Sequence, residues 1–198
     1  MKKIFSLFLC AILVIGCFAG CSKTSNELTE ENVKATVDIV WQALQDFDTE
    51  TLGKFVESST LSTIVNYAEG HEQFADLGKA LFENLTIEVK SVDLENKTVT
   101  VSVQNKDLYY AANNFANDLK NNYSSFQLLS KLTDDDFLDN KLAALCSEID
   151  AAEMQPSAAE INLYISQGKN NLVLKFDSTA ENAVSGGALD AIKSIYGG

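Results

Sequence analysis

Two hydrophobic periods divide the chain after residue 28. Val33, Val37, Val40, Trp41, Leu44 and Phe47 recur at helical spacing and make one apolar stripe of about four turns. Thr29, ahead of the stripe, offers a capping oxygen, and Glu30 and Glu31 sit where the helix dipole favours negative charge. Asp48 is placed to cap a second, short helix through Leu52, Phe55 and Val56, and Ser58 or Ser59 a third through Leu61, Ile64 and Val65. Gly70 ends that piece, and a further helix from about Glu72 to Glu83 carries Phe74, Leu77 and Leu81.

The period then drops to two. Leu85, Ile87 and Val89 alternate with Thr86, Glu88 and Lys90, as in a half-buried strand. The alternation slips by one at Ser91-Val92, which predicts a bulge, and resumes at Val99, Val101 and Val103 after a turn near Glu95-Asn96. Asp107 can cap a long helix bearing Leu108, Ala112, Phe115, Leu119 and Phe126, and Thr133 another with Leu138, Leu142, Leu145 and Ile149; Pro156 closes this insert. A second hairpin sets Ile161, Leu163 and Ile165 against Leu172, Leu174 and Phe176 across Gln167-Gly168-Lys169-Asn170, and a weak last helix with Leu189, Ile192 and Ile195 follows Gly186-Gly187. The predicted class is α+β: N-terminal helices, two antiparallel β-hairpins forming one curved sheet, and a helical insert between the hairpins.

The most apolar stretch precedes all of this. Lys2 and Lys3 lead into an uncharged run from Ile4 to Gly20, in the basic, apolar, small-residue order of an export signal. Ile4 to Ile15 is its greasy core, shorter than the roughly 20 apolar residues a membrane-spanning helix needs, but counted to Gly20 the run has 17 residues, so length alone leaves an uncleaved signal anchor as an alternative. Phe18-Ala19-Gly20-Cys21 resembles the lipobox of bacterial lipoproteins, in which small side chains let the peptidase approach the backbone and the cysteine thiol receives a diacylglycerol. Cys21 is therefore the expected lipidation site, with Cys17, after Val14-Ile15-Gly16, as the alternative. The organisation expected is a signal peptide over residues 1–20, a tether over 21–28 and one α+β domain over 29–198. Each buried CH₂ of an acyl chain is worth about 0.8 kcal/mol, so a diacylated cysteine holds durably where a single chain does not.

Composition sharpens this placement. The whole chain has a net charge of −13, and the leader contains two lysines and no acid, so the exported part is more acidic still. All basic residues other than His71 are lysines; without arginine there is no planar fork for phosphate, and without a basic patch nucleic-acid binding is disfavoured. Like charge would also keep the domain off anionic headgroups, leaving the lipid as its hold on the membrane. With Cys10 and Cys17 in the leader and Cys21 acylated, Cys146 stands alone and no intrachain disulfide is available. Leu142, Leu145, Cys146 and Ile149 share a helical face, where a thiol is usually an inert core residue.

Tests for chemistry return little. Asp134-Asp135-Asp136 with Asp139 has the oxygens for calcium but neither a central glycine nor a closing glutamate at the twelfth position, and reads as a helix start. His71 is the single histidine, so zinc and a Ser-His-Asp nucleophile both lack partners, and beside Gly70 it reads as a helix boundary. Gly186-Gly187 lacks the spacing and lysine of a phosphate loop. Tyr109, Tyr110 and Trp41 could line a pocket, though aromatics at helical spacing more often belong to a core. No catalytic residue, cofactor or metal ligand is predicted.

The first hairpin's end, Val101-Ser102-Val103-Gln104-Asn105-Lys106-Asp107-Leu108, the helical insert, the second hairpin and the closing Asn182-Ala183-Val184-Ser185-Gly186-Gly187 together resemble a known group. It comprises uncharacterised Gram-positive lipoproteins whose single domain looks like the nuclear transport factor 2 (cone-shaped α+β) or cystatin-like group. The resemblance covers most of residues 30 to 190; members often have a Gly-Lys-Trp turn in the last hairpin, where this chain has Gly168-Lys169-Asn170. It implies a pocket between curved sheet and helices, in folds that serve both binding proteins and isomerases. The expectation is a membrane-tethered, extracytoplasmic, non-catalytic module that binds a small ligand, a cell-envelope component or a protein. One rival is a cone-fold isomerase or hydrolase, which requires a pocket carboxylate within reach of a tyrosine hydroxyl. The other is a transporter-associated binding protein, which requires two lobes around a ligand.

Overall fold

The computed structural model describes residues 25–68, 72–131 and 133–196, so the leader, Cys21, Cys17, Gly70 and His71 lie outside the described residues. The chain begins with α1 (Glu30–Gln45), α2 (Thr49–Phe55), β1 (Val56–Glu57), α3 (Ser59–Ala68) and α4 (Glu72–Phe82), followed by the hairpin β2 (Thr86–Asp93) and β3 (Thr98–Gln104). The insert is α5 (Tyr109–Asn122), α6 (Ser125–Lys131) and α7 (Asp135–Ala151). The second hairpin, β4 (Ala159–Gln167) and β5 (Leu172–Lys175), leads into α8 (Ser178–Val184) and α9 (Ala188–Tyr196).

Local chemistry accounts for the ends. Thr29 Oγ1 accepts from Asn32 N at 3.2 Å and Asp48 Oδ1 from Thr51 N at 3.1 Å, so both predicted caps of the first two helices are in place. Phe47, past the end of α1, adopts φ 49°, and its ring lies over Gly78 of α4 so closely that a Cβ there would come within 2.4 Å of it. Glycine is required at position 78 because an aromatic ring occupies the space a side chain would need.

The strands form one five-stranded sheet in the order β1-β5-β4-β3-β2. The two hairpins pair antiparallel, with Val101 opposite Ile161 and Ile165 opposite Leu174, and the register shifts between Val89 and Ser91, where the sequence pattern slipped. One face is apolar and buried through Ile87, Val99, Val101, Val103, Ile161, Leu163, Ile165, Leu172 and Leu174. The opposite face carries polar groups such as Thr100, whose hydroxyl donates to Asn162 Oδ1 at 2.7 Å, as expected of an antiparallel sheet covered on one side. α1 lies over β2 and β5 and α8 over β3 and β4; beyond them α4 packs on α7 and α5 on α9.

Four expectations need correction. Val56 leaves helical geometry after Phe55 and pairs parallel with Leu174, because the edge of β5 offers hydrogen-bond partners that a seven-residue helix cannot outbid. The long helix expected to be capped by Asp107 runs from Tyr109 to Asn122 with Leu108 at its N-cap and no capping bond from that side chain, while Asp107 Oδ1 accepts from Tyr109 N at 3.3 Å. Phe126 belongs to the separate α6, where it is 81% exposed. α7 is capped by Asp134, which accepts from Phe137 N at 3.1 Å, rather than by Thr133. Residues 178–184, where no element is predicted, form α8, started by Asp177 Oδ1 accepting from Thr179 N and Ala180 N. The last two follow one rule: an Asp side chain is a strong cap wherever the next turn has a surface to bury.

Candidate functional site

The two motifs that carried the resemblance meet in space. Asn105, 1% exposed, donates from Nδ2 to Val184 O and to Leu81 O, both at 2.8 Å, and Leu108 N donates to Gly186 O at 2.9 Å. The end of β3 is thereby fastened to the end of α8 and to α4. Gly186 and Gly187 have φ of 59° and 85°, and a Cβ on Gly186 would lie 2.1 Å from Lys106 O. They are the backbone punctuation expected of them, turning the chain from α8 into α9 against the β3–α5 connection.

Beside this junction is a cavity of about 250 Å³. One side is the sheet-covering core, represented by Leu44, Leu61, Phe82 and Val184; the other is a smaller cluster containing Leu108, Ala112, Ile149 and Ala188. The cavity therefore lies among helices, with Phe176 beyond β5 as the contribution from the sheet side. This corrects the implied pocket between sheet and helices. α1, α2 and α8 pack on the sheet, whose apolar face is buried, and this cavity lies one layer further out.

One carboxylate, that of Glu181 on α8, reaches this wall, and the residue is 8% exposed. Its Oε1 accepts from Ser58 Oγ at 2.6 Å and from Thr60 N at 3.0 Å, and its Oε2 accepts from Thr60 Oγ1 at 2.8 Å. Ser58 Oγ in turn accepts from Leu61 N at 3.0 Å, which makes Ser58 the cap of α3. Burial pushes the Glu181 carboxyl up; the hydrogen bonds from Ser58 and Thr60, aided by Lys193, outweigh it and hold the group below its ordinary value. The carboxylate thus stays ionised and closes the N-terminus of α3, where the helix dipole also favours it. Such a group is a poor general base at neutral pH. No tyrosine lines the cavity among the described residues.

The remaining candidates fall outside the cavity. Tyr110 is 73% exposed and Tyr109 is also exposed, the two rings meeting edge to face at 5.7 Å, which overturns their core reading. Trp41 is half-buried and donates from Nε1 to Leu85 O at 2.7 Å. Cys146 is partly buried on α7, and burial, followed by the charges of Asp150 and Asp76, pushes its thiol up, away from the reactive thiolate. Asp134, Asp135 and Asp136 stand at the start of α7 as read, and Lys131 pairs with Asp134. No cluster of metal-ligating side chains occurs among the described residues. Glu181 itself was missed because the helix carrying it was missed; a signal was present in Asp177 followed by Ala180, Ala183 and Val184 at helical spacing.

The expected tether over residues 21–28 is described only from Ser25, and it is already held there. Asn26 Nδ2 donates to Gly168 O and Lys169 O, both at 3.2 Å, Gln167 Nε2 donates to Asn26 O at 2.9 Å, and Leu28 packs against the main core. No described helix is long and apolar enough to cross a membrane.

No family model matches the sequence, and no curated protein sequence matches it. Among solved structures, the chain is similar to the lipoprotein candidate YcdA of Bacillus subtilis subsp. subtilis str. 168, with 15% identity and a TM-score of 0.37. The match covers 87% of this chain and 49% of that one, so the chain spans about half the length of the structure it matches. A likeness this distant does not establish the nuclear transport factor 2-like assignment.

Proposed function

We propose that this chain is a lipid-anchored, extracytoplasmic, non-catalytic module that binds a small ligand in the cavity among its helices. The observation that carries the binding half is that cavity: about 250 Å³ of apolar space beside a carboxylate whose hydrogen bonds are committed to the fold. Two lobes around a cleft, which the transporter-associated reading needs, find no counterpart in one sheet with helices packed outward from a single apolar face. The enzyme reading needs a tyrosine hydroxyl on the carboxylate; serine and threonine hydroxyls and an amide stand there instead.

The anchoring half is supported by the basic, apolar, small-residue leader and by Phe18-Ala19-Gly20-Cys21. With acyl chains on Cys21, the five residue steps to Asn26 reach at most about 18 Å, so the β4–β5 turn would stand close to the membrane surface. The test is labelling of the full chain in a Gram-positive host with an alkyne-tagged fatty acid. Label should enter the wild type and Cys17→Ser, and vanish in Cys21→Ser. Label that persists in Cys21→Ser but is lost in Cys17→Ser moves the site; label in none of them removes the anchor.

A further inference from the structure

The size and wall of the cavity name the kind of ligand, a step that rests on the binding reading above. An apolar cavity of about 150 Å³ stays dry and takes up benzene, with six carbons, so about 250 Å³ has room for about ten. The wall is aliphatic over most of its extent, through leucine, isoleucine, valine and alanine side chains. Its polar members are already engaged. Ser58 and Thr60 donate to Glu181, and Ser185 Oγ donates to Asn182 O at 3.2 Å and accepts from Leu189 N at 3.4 Å. Little is left to hold a polar group inside, and burying one without a partner is unfavourable. What enters must be hydrocarbon. Exposed Ile192 and half-buried Leu77, Phe115 and Leu145 mark where the cavity approaches solvent. A negative head there would be disfavoured by the chain's net charge of −13.

We propose that the cavity holds one alkyl or acyl chain of about ten carbons, belonging to an uncharged amphiphile whose head remains at the mouth near Ile192.

The measurement uses the chain from Ser22 onward, which holds every described residue and lacks the expected acylation site. Calorimetric titration uses 1-decanol, its shorter homologues down to 1-hexanol, decanoate and naphthalene. Decanol should bind one to one, with affinity falling about fourfold for each methylene removed. Decanoate should bind at least about tenfold more weakly, one factor of ten corresponding to 1.4 kcal/mol. Ala188→Phe fills the cavity and should abolish decanol binding; if that variant unfolds, Leu145→Trp does the same from a half-buried position. Decanoate binding as well as decanol, or naphthalene binding while the alcohols do not, overturns the ligand assignment and leaves a binding cavity. Failure of every apolar probe overturns the assignment and the binding reading together.

Discussion

The sheet-side core and the helix-side cluster are both apolar, yet they are filled differently. On the sheet side, valines, leucines and isoleucines of paired strands stand in register, and α1 answers them with Val33, Val37, Val40 and Leu44. On the helix side the buried residues are Leu108, Ala111, Ala112, Ile149, Ala188 and Ala191, four of the six being alanine. Small side chains let α5 and α9 approach closely, but they cannot fill the space where these helices meet α4 and α7. The cavity is thus a shortage of side-chain volume at the junction of two layers.

This contrast can be broken by mutation. Leu174→Ala, in the middle of the filled side, should cost about 3–5 kcal/mol in urea unfolding, because the sheet cannot collapse around the loss. A cost under about 1 kcal/mol would show that the sheet side is as loose as the helix side. Gly186→Ala should cost about 2–3 kcal/mol, since the left-handed backbone and the closeness of Lys106 O both resist a Cβ. The same unfolding curve reads it, and an unchanged midpoint would mean that the junction between the two regions is slack. Leu145→Ala, at the cavity wall, should cost only about 1 kcal/mol, because it is half-buried and enlarges an existing space. A loss equal to that of Leu174→Ala would erase the distinction.

The smallest effect is electrostatic. Glu181 titrates below its ordinary value of 4.5 in the folded state, so it contributes stability above that pH. The contribution is lost as pH falls from there through the lower folded value. Glu181→Gln should remove this part of the acid dependence while leaving Leu174→Ala as costly as before. Parallel pH–stability profiles for the wild type and Glu181→Gln would show that the carboxylate does not hold α3 to α8.

The legibility of the sequence follows the same division. The hairpins, down to the bulge between Val89 and Ser91, could be read because alternation is a local signal that burial on one face enforces. Helices α1 and α4 were legible from their stripes. By contrast α8 was hidden, since seven residues give too few repeats of a helical period to stand out, and with it went Glu181. Tyr109 and Tyr110 misled because spacing places a residue on a helix face without saying whether another element covers that face.

Residue order alone determined the class of the fold and the caps at Thr29 and Asp48, because each depends on neighbours within a few positions. Tertiary structure alone decided that β1 joins β5 in parallel, that Asn105 fastens β3 to α8, and that space is left between two apolar clusters. Those outcomes depend on how residues 79 to 123 positions apart share volume and hydrogen bonds, which no local period records.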